Sequence, residues 1–319
     1  MPTVYSTYRP TPPKQKKRKT KALLFGLLVT AIILITVIII NKPETTQATT
    51  EVTPVATTTT TPITKQVQTP TQSTQLESAW KGVIDAQSGN IAIAVYNSKT
   101  GKTAQYSNTT SAFDSASIVK VSIAEALLAQ AQASGTTLSD TTLANMAPML
   151  EISDNATAST LWGQAGGAAA MNSYFASIGA SSTTAGTNGL WGLTQTTAVD
   201  QLAILNAFAY PGLTLTSDSA TTLNGFLDKV ETDQAWGVSA GLPSDGNFEL
   251  KNGWLEDSET NDAYADTDDW TVNSIGHIWY GNADYTIAVL TNGQPTEQYG
   301  IDTIESLSTA TWNILSGDS

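Results

Sequence analysis

Strand-like alternation occurs only near the two ends of residues 75–319, and every pattern between them is helical. That order constrains the fold more than any other feature of the chain. Asn90 to Asn97 (NIAIAVYN) alternates with period two, Ser98-Lys99-Thr100-Gly101 makes a turn, and Lys102 to Tyr106 returns, which predicts a hairpin. Far downstream, Asn247 to Leu255, Trp270 to Tyr280 and Asp284 to Thr291 have the same character, and the last two turn at Gly281-Asn282. Between these ends lie helical patterns: Ser117 to about Ala133, pieces of Leu138 to Ile178, Thr196 to Tyr210, and Ser217 to Val230. Thr74 to Gln87 puts Leu76, Trp80, Val83 and Ile84 on one helix face, and Ile301 to Leu315 closes the chain as a helix. Strands from both ends must meet to pair. The expected fold class is therefore α+β, with one antiparallel sheet flanked by helices and a separate all-helical lobe.

The residues before this region cannot join it. Residues 1–21 hold seven basic side chains and no acid, and Ala22 to Ile40 is a run of nineteen uncharged, mostly aliphatic residues. At about 1.5 Å per residue the run spans roughly 28 Å, close to the apolar thickness of a bilayer. The basic cluster predicts a cytoplasmic N-terminus. Residues 1–21 are read as a cytoplasmic tail and 22–40 as a transmembrane helix. A cleaved signal peptide is the alternative; against it stand the length of the run and the absence of a small-x-small site directly after it. Residues 41–74 are rich in Thr, include Pro43, Pro54, Pro62 and Pro70, and lack aromatics. Such a composition buries too little apolar surface to fold, so this stretch is read as a disordered linker. The expected localisation is the cell membrane, single-pass, with residues 75–319 outside the cytoplasm.

Charge and composition exclude several functions. Residues 75–319 hold six lysines, no arginine and twenty-six acidic residues, for a net charge of −20. That balance disfavours nucleic acid as a partner. The chain has no cysteine and one histidine, His277, so thiolate chemistry, disulfides and His/Cys metal sites are excluded. No cofactor or metal is expected. His277 lies in an alternating strand without a matching Ser-Asp pattern, so packing is the expectation for it. Asp114 is expected to be an acid at a helix N-terminus.

Ser117 and Lys120 stand three residues apart at the start of a long apolar run, a spacing that puts both on one helix face. A serine needs a base to become a nucleophile, and a lysine whose pKa is lowered by burial can be that base. Alone, the pair could equally be a helix cap and a snorkelling lysine. Ser153-Asp154-Asn155 follows, in what reads as a break between helices, where a simple capping turn is the alternative. Lys251-Asn252-Gly253 comes last, in a strand, where Lys251 could also be an ordinary surface lysine.

In this order and these contexts, the three elements together resemble the class A β-lactamases and penicillin-binding proteins, whose triplet is S-x-x-K, S-D-N and K-T/S-G. The resemblance covers roughly residues 75–319, read as a β-lactamase-like serine hydrolase domain. It implies a sheet-and-helix lobe packed on an all-helical lobe, with the site in the cleft. It also implies roles. Ser117 is the acylated nucleophile and Lys120 its base or proton relay. Ser153 passes a proton to the leaving nitrogen, and Asn155 holds the substrate amide and steers Lys120. Lys251 supplies a positive field and attracts a carboxylate. Asn252 stands at the carboxylate-binding position, and Gly253 lets substrate approach the strand. The backbone N–H groups of Ser117 and Trp254 form an oxyanion hole. The implied partner is a β-lactam or a small peptidoglycan-related substrate.

Three departures qualify the resemblance. The family deacylates with a glutamate on a loop after S-D-N, yet residues 156–199 contain no Asp or Glu. Asn252 replaces the usual hydroxyl, and no arginine backs it up. The segment from Ser117 to Ser153 is shorter than is usual in class A, which predicts a trimmed helical lobe. The expectation is acylation without efficient hydrolysis. Two alternatives remain: a penicillin-binding-protein-like peptidase or transpeptidase, and a non-catalytic cell-wall-binding ectodomain.

Overall fold

Helix α1 (Gln72–Ile84) starts at Thr71, whose side-chain oxygen accepts from the Thr74 N–H. Leu76, Trp80 and Ile84, four residues apart, are its buried stripe. The indole N–H of Trp80 donates to Thr311 Oγ1 at 2.9 Å, which ties the first helix to the last, α8 (Glu297–Leu315). The structure is a computed structural model that describes residues 71–212, 214–256 and 269–317. The basic tail, the apolar run, nearly all of the linker and most of the acidic loop after Glu256 lie outside the described residues. Among the described residues no helix is long and apolar enough to cross a membrane.

Strands β1 (Asn90–Asn97), β2 (Lys102–Ser107), β5 (Asn247–Glu256), β6 (Trp270–Tyr280) and β7 (Ala283–Gln294) form one antiparallel sheet in the order β2-β1-β7-β6-β5. The strands from the two ends of the domain meet where β1 pairs with β7, and β5 is left at the sheet's edge. Neighbours across a ladder share a face. Lys251, Ile275, Ala288 and Ala94 are successive partners across four strands. Ile275, Ala288 and Ala94 belong to the core beneath the helical lobe, so Lys251 points that way too. The alternate residues Leu250, Ile287, Val289 and Ile93 pack on the opposite side with α1 and α8.

The helical lobe is built around α2 (Val119–Ala133), in which every residue from Val119 to Leu128 is buried. A helix buried on all sides in this way takes a central position, and its polar Lys120, Ser122 and Glu125 are buried with it. Around it lie α3 (Asp140–Glu151), α4 (Asn155–Ala165), α5 (Gly167–Ser177), α6 (Ala198–Ala209) and α7 (Ser217–Leu227). Ser139 caps α3 and Asp154 caps α4 through side-chain oxygens. The α+β architecture expected from the order of patterns is the one present.

Two local expectations need correction. The Ser117 helix opens with a 3-10 turn, Ala116–Ile118, and is α-helical only from Val119. Asp114 is not on that helix. It lies in the short strand β3 (Phe113–Asp114), paired with Gln195 of β4 (Gln195–Thr196), and the Gln195 side-chain amide donates to its carboxylate. Two-residue strands leave no alternation to read.

Candidate active site

The turn that carries Ser117 is held from three sides. The Ser115 N–H donates to Thr194 O at 2.8 Å, and Ser115 Oγ donates to Gly192 O at 3.3 Å. From β6, Asn273 Nδ2 donates to Asp114 O at 2.9 Å and to Ser115 O at 3.2 Å, while its Oδ1 accepts from the Thr291 N–H at 3.1 Å. These bonds hold Ala116 in the left-handed region, at φ 47°, a conformation that costs a residue with a Cβ about 1 kcal/mol. From β5, Gly253 completes the seat. A Cβ there would lie 2.7 Å from Ser117 N and 2.8 Å from Ile118 N, so only glycine lets the strand lie against the turn. Whatever substrate approach Gly253 allows, its missing side chain also admits the backbone of the nucleophile turn.

The two lysines converge on Ser153. Lys120 Nζ donates to Ser153 O at 2.6 Å, to Ser153 Oγ at 3.0 Å and to Asn155 Oδ1 at 2.8 Å. Lys251 Nζ donates to the same Ser153 Oγ at 3.0 Å and to Asn252 O at 2.8 Å. Both lysine side chains are fully buried. Burial lowers Lys120 to about 8, against an opposing pull from the Asp154 charge. Lys251 is pushed well below the ordinary lysine value, first by burial and then by the charge of Lys120. This weakens the positive field expected of Lys251. When both amines donate, the lone pairs of Ser153 Oγ are occupied and its proton is left to point elsewhere. Ser153 reaches this position through a left-handed backbone, φ 59°, between the end of α3 and the cap of α4.

Ser117, Lys120, Ser153, Asn155, Lys251, Gly253 and Trp254 are thus brought together, with two qualifications. No hydrogen bond joins Ser117 Oγ to Lys120 Nζ, whose three donors are engaged by Ser153 and Asn155. Asn252 does not face the cleft. It is fully buried, and its Nδ2 donates to Gln234 O at 2.8 Å and Trp236 O at 2.9 Å, fixing the segment behind β5.

Ser117 and Asn155 open onto a cleft of about 310 Å³, walled by Leu190, Trp191, Leu193, Trp254 and Leu255. Among the described residues no carboxylate lines it. The Trp191 ring stands 4.9 Å from Lys120 Nζ, close enough to stabilise the ammonium. The bend that presents Trp191 depends on Gly186, where a Cβ would meet Leu190 O at 2.0 Å. Two buried acids of the helical lobe are occupied elsewhere. Asp200 accepts from Ser182 N and Thr183 Oγ1, and Glu125 accepts from the Tyr174 hydroxyl. His277 lies between Glu249 and Asp284, 3.1 Å from each, and stacks on Trp279. It is packed rather than poised beside a serine.

Residues 75–146 and 141–315 match the beta-lactamase enzyme family. The chain belongs to that family. No curated protein matches it. Among solved structures it is similar to a class A beta-lactamase from Bacteroides cellulosilyticus DSM 14838, at 18% identity and TM-score 0.66, over 78% of this chain and 100% of that one. A beta lactamase from Xanthomonas campestris pv. campestris is similar at 19% identity and TM-score 0.62, over 77% and 99% of the two chains. A variant of the last common ancestor of Gram-negative bacteria class A beta-lactamase gives 20% identity and TM-score 0.63, over 76% and 99%. At these identities the likeness is one of fold. Within that beta-lactamase fold, Asn273 and Trp191 are site residues that the motif reading passed over. The signal for Asn273 was an amide in the middle of an apolar strand; for Trp191 it was an aromatic in a Gly/Thr/Ser loop.

Proposed function

We propose that residues 75–319 form an extracytoplasmic serine hydrolase that is acylated at Ser117 and releases its acyl group slowly. The observation that carries this reading is the Ser153 hydroxyl shared by two buried lysines, beside a nucleophile turn whose cleft, among the described residues, is lined by no carboxylate. In the proposed mechanism neutral Lys120 takes the Ser117 proton as Oγ attacks the carbonyl carbon of a lactam, ester or amide. The N–H groups of Ser117 and Trp254 hold the oxyanion. Collapse breaks the bond from that carbon to the leaving nitrogen or oxygen, and the leaving atom takes a proton from Ser153. Lys120, 3.0 Å from Ser153 Oγ, returns that proton, so the proton lost by Ser117 ends on the leaving group. Hydrolysis of the acyl-serine then needs a base for water; residues 156–199 hold no Asp or Glu, and the described lining of the cleft offers no carboxylate for it.

The absence of that base also favours a second reading, a penicillin-binding-protein-like peptidase or transpeptidase whose acyl group passes to an amine. The apolar run 22–40 and the basic residues before it support a single-pass anchor with a cytoplasmic N-terminus; protease protection of intact membrane vesicles tests that topology. The catalytic reading is tested by intact-mass measurement of the full-length chain with benzylpenicillin, with Ser117→Ala as control. A persistent adduct absent from the variant is expected. A wild-type protein left unmodified by penicillins and activated esters alike would sink it.

A further inference from the structure

The cleft is poorly equipped to hold an anionic substrate. The middle position of the Lys251–Gly253 element has no side chain to offer, because the Asn252 amide donates to Gln234 O and Trp236 O on the far side of β5. Lys251 is fully buried, and its amine is engaged by Ser153 Oγ and Asn252 O. The other lysines stand elsewhere: Lys81 pairs with Asp85 on α1, Lys99 lies 4.0 Å from Asp284, Lys229 lies 4.0 Å from Glu151, and Lys102 is on β2. None of these four lines the cleft, and residues 75–319 contain no arginine. A carboxylate entering here would lose its water and gain no free cation, which is unfavourable. The net charge of −20 over the domain adds a long-range repulsion of anions. Beside the neutral polar groups of Ser117 and Asn155, the large side chains that wall the cleft are apolar and aromatic, from Leu190, Trp191, Leu193, Trp254 and Leu255.

Building on the acyl-serine reading above, we propose that this site selects acyl donors without a free carboxylate, namely neutral esters or amides bearing an apolar acyl group, over carboxylate-bearing lactams and peptides. Burial acts in the same direction on Lys251 by disfavouring its charged form. The chemistry is unchanged: a bond forms from Ser117 Oγ to the acyl carbon, the bond to the leaving atom breaks, and the leaving atom takes the proton relayed through Lys120 and Ser153.

A matched pair of probes isolates the claim. Benzylpenicillin and its methyl ester differ only in the carboxylate, and the second-order rate of adduct formation on the full-length chain is read by intact mass, with Ser117→Ala as the control. The methyl ester is expected to acylate faster, by about tenfold, the cost of leaving a charge without a partner. Equal rates, or a faster acid, overturn the preference while leaving the acyl-serine reading standing. If both compounds and p-nitrophenyl butyrate fail to modify Ser117, the acyl-serine reading fails and the preference with it.

Discussion

Lys120 and Lys251 donate to one oxygen, each amine lying 3.0 Å from Ser153 Oγ. Two buried ammonium groups this close repel each other strongly, so the arrangement favours at least one neutral amine. The charge of Lys120 contributes to the lowering of Lys251, while the Asp154 charge partly supports Lys120. Lys120 is therefore the amine that changes charge near neutral pH.

With Lys120 lowered to about 8, its neutral form is a minority at pH 7, about one molecule in ten. The neutral form is the base. Acylation of Ser117 should accordingly rise about tenfold between pH 6 and pH 7, reach about half its maximum near pH 8 and level off above it. The acylation rate by an activated ester, corrected for its spontaneous hydrolysis, checks this across pH 6–9. A flat profile would remove Lys120 from the role of base.

Gly253→Ala tests the seat of the nucleophile. The new Cβ would sit 2.7 Å from Ser117 N and 3.0 Å from Ser115 O, both backbone atoms that cannot rotate away. Either β5 or the turn must shift. The expected cost is about 1–3 kcal/mol in unfolding free energy, with acylation lost beyond what that cost explains. Denaturant melts and adduct formation on the folded fraction separate the two effects. A stable and fully active variant would show that the close approach is unimportant.

The fold and half of the site were legible in the sequence for one reason: both were written in short-range patterns. Alternation marked β1 and β6 to the residue, and Ser-Asp-Asn announced a break that Asp154 does cap. What could not be read was direction. In a strand at the edge of a sheet, Asn252 could have faced the cleft or the segment behind it, and only its bonds to the carbonyls of Gln234 and Trp236 decide. The same holds for Gly253, whose missing side chain serves the chain's own backbone. Trp191 and Asn273 reach the site across 71 and 153 residues from Lys120, contacts that exist only once the sheet and the lobe have met.

Asn273 makes a prediction of its own. It is fully buried and bridges the Asp114 and Ser115 carbonyls to the Thr291 N–H. Asn273→Ala leaves all three without this partner, at about 2 kcal/mol or more. The turn would then lose its hold from β6, so acylation of Ser117 should slow at saturating substrate more than binding weakens. Single-turnover kinetics with a chromogenic ester read that split. A purely structural role would lower stability and leave the acylation rate of the folded protein untouched.

Trp191→Glu adds a carboxylate to a cleft whose described lining has none. The Trp191 ring lies 4.9 Å from Lys120 Nζ, on the wall of the Ser117 cleft. A carboxylate there has two opposite consequences. As a base for water it should shorten the life of the acyl-serine, by about tenfold even if its placement falls well short of the 10²–10⁴ of a positioned base. As a negative charge beside Lys120 it should raise that lysine's pKa, so acylation at pH 7 slows and the rise of the pH profile moves to higher pH. Time-resolved intact mass measures both steps on one sample, and Trp191→Gln, similar in shape to the glutamate but uncharged, separates charge from lost packing. An adduct as persistent in the glutamate variant as in the glutamine variant would mean that slow release has a cause other than the missing base.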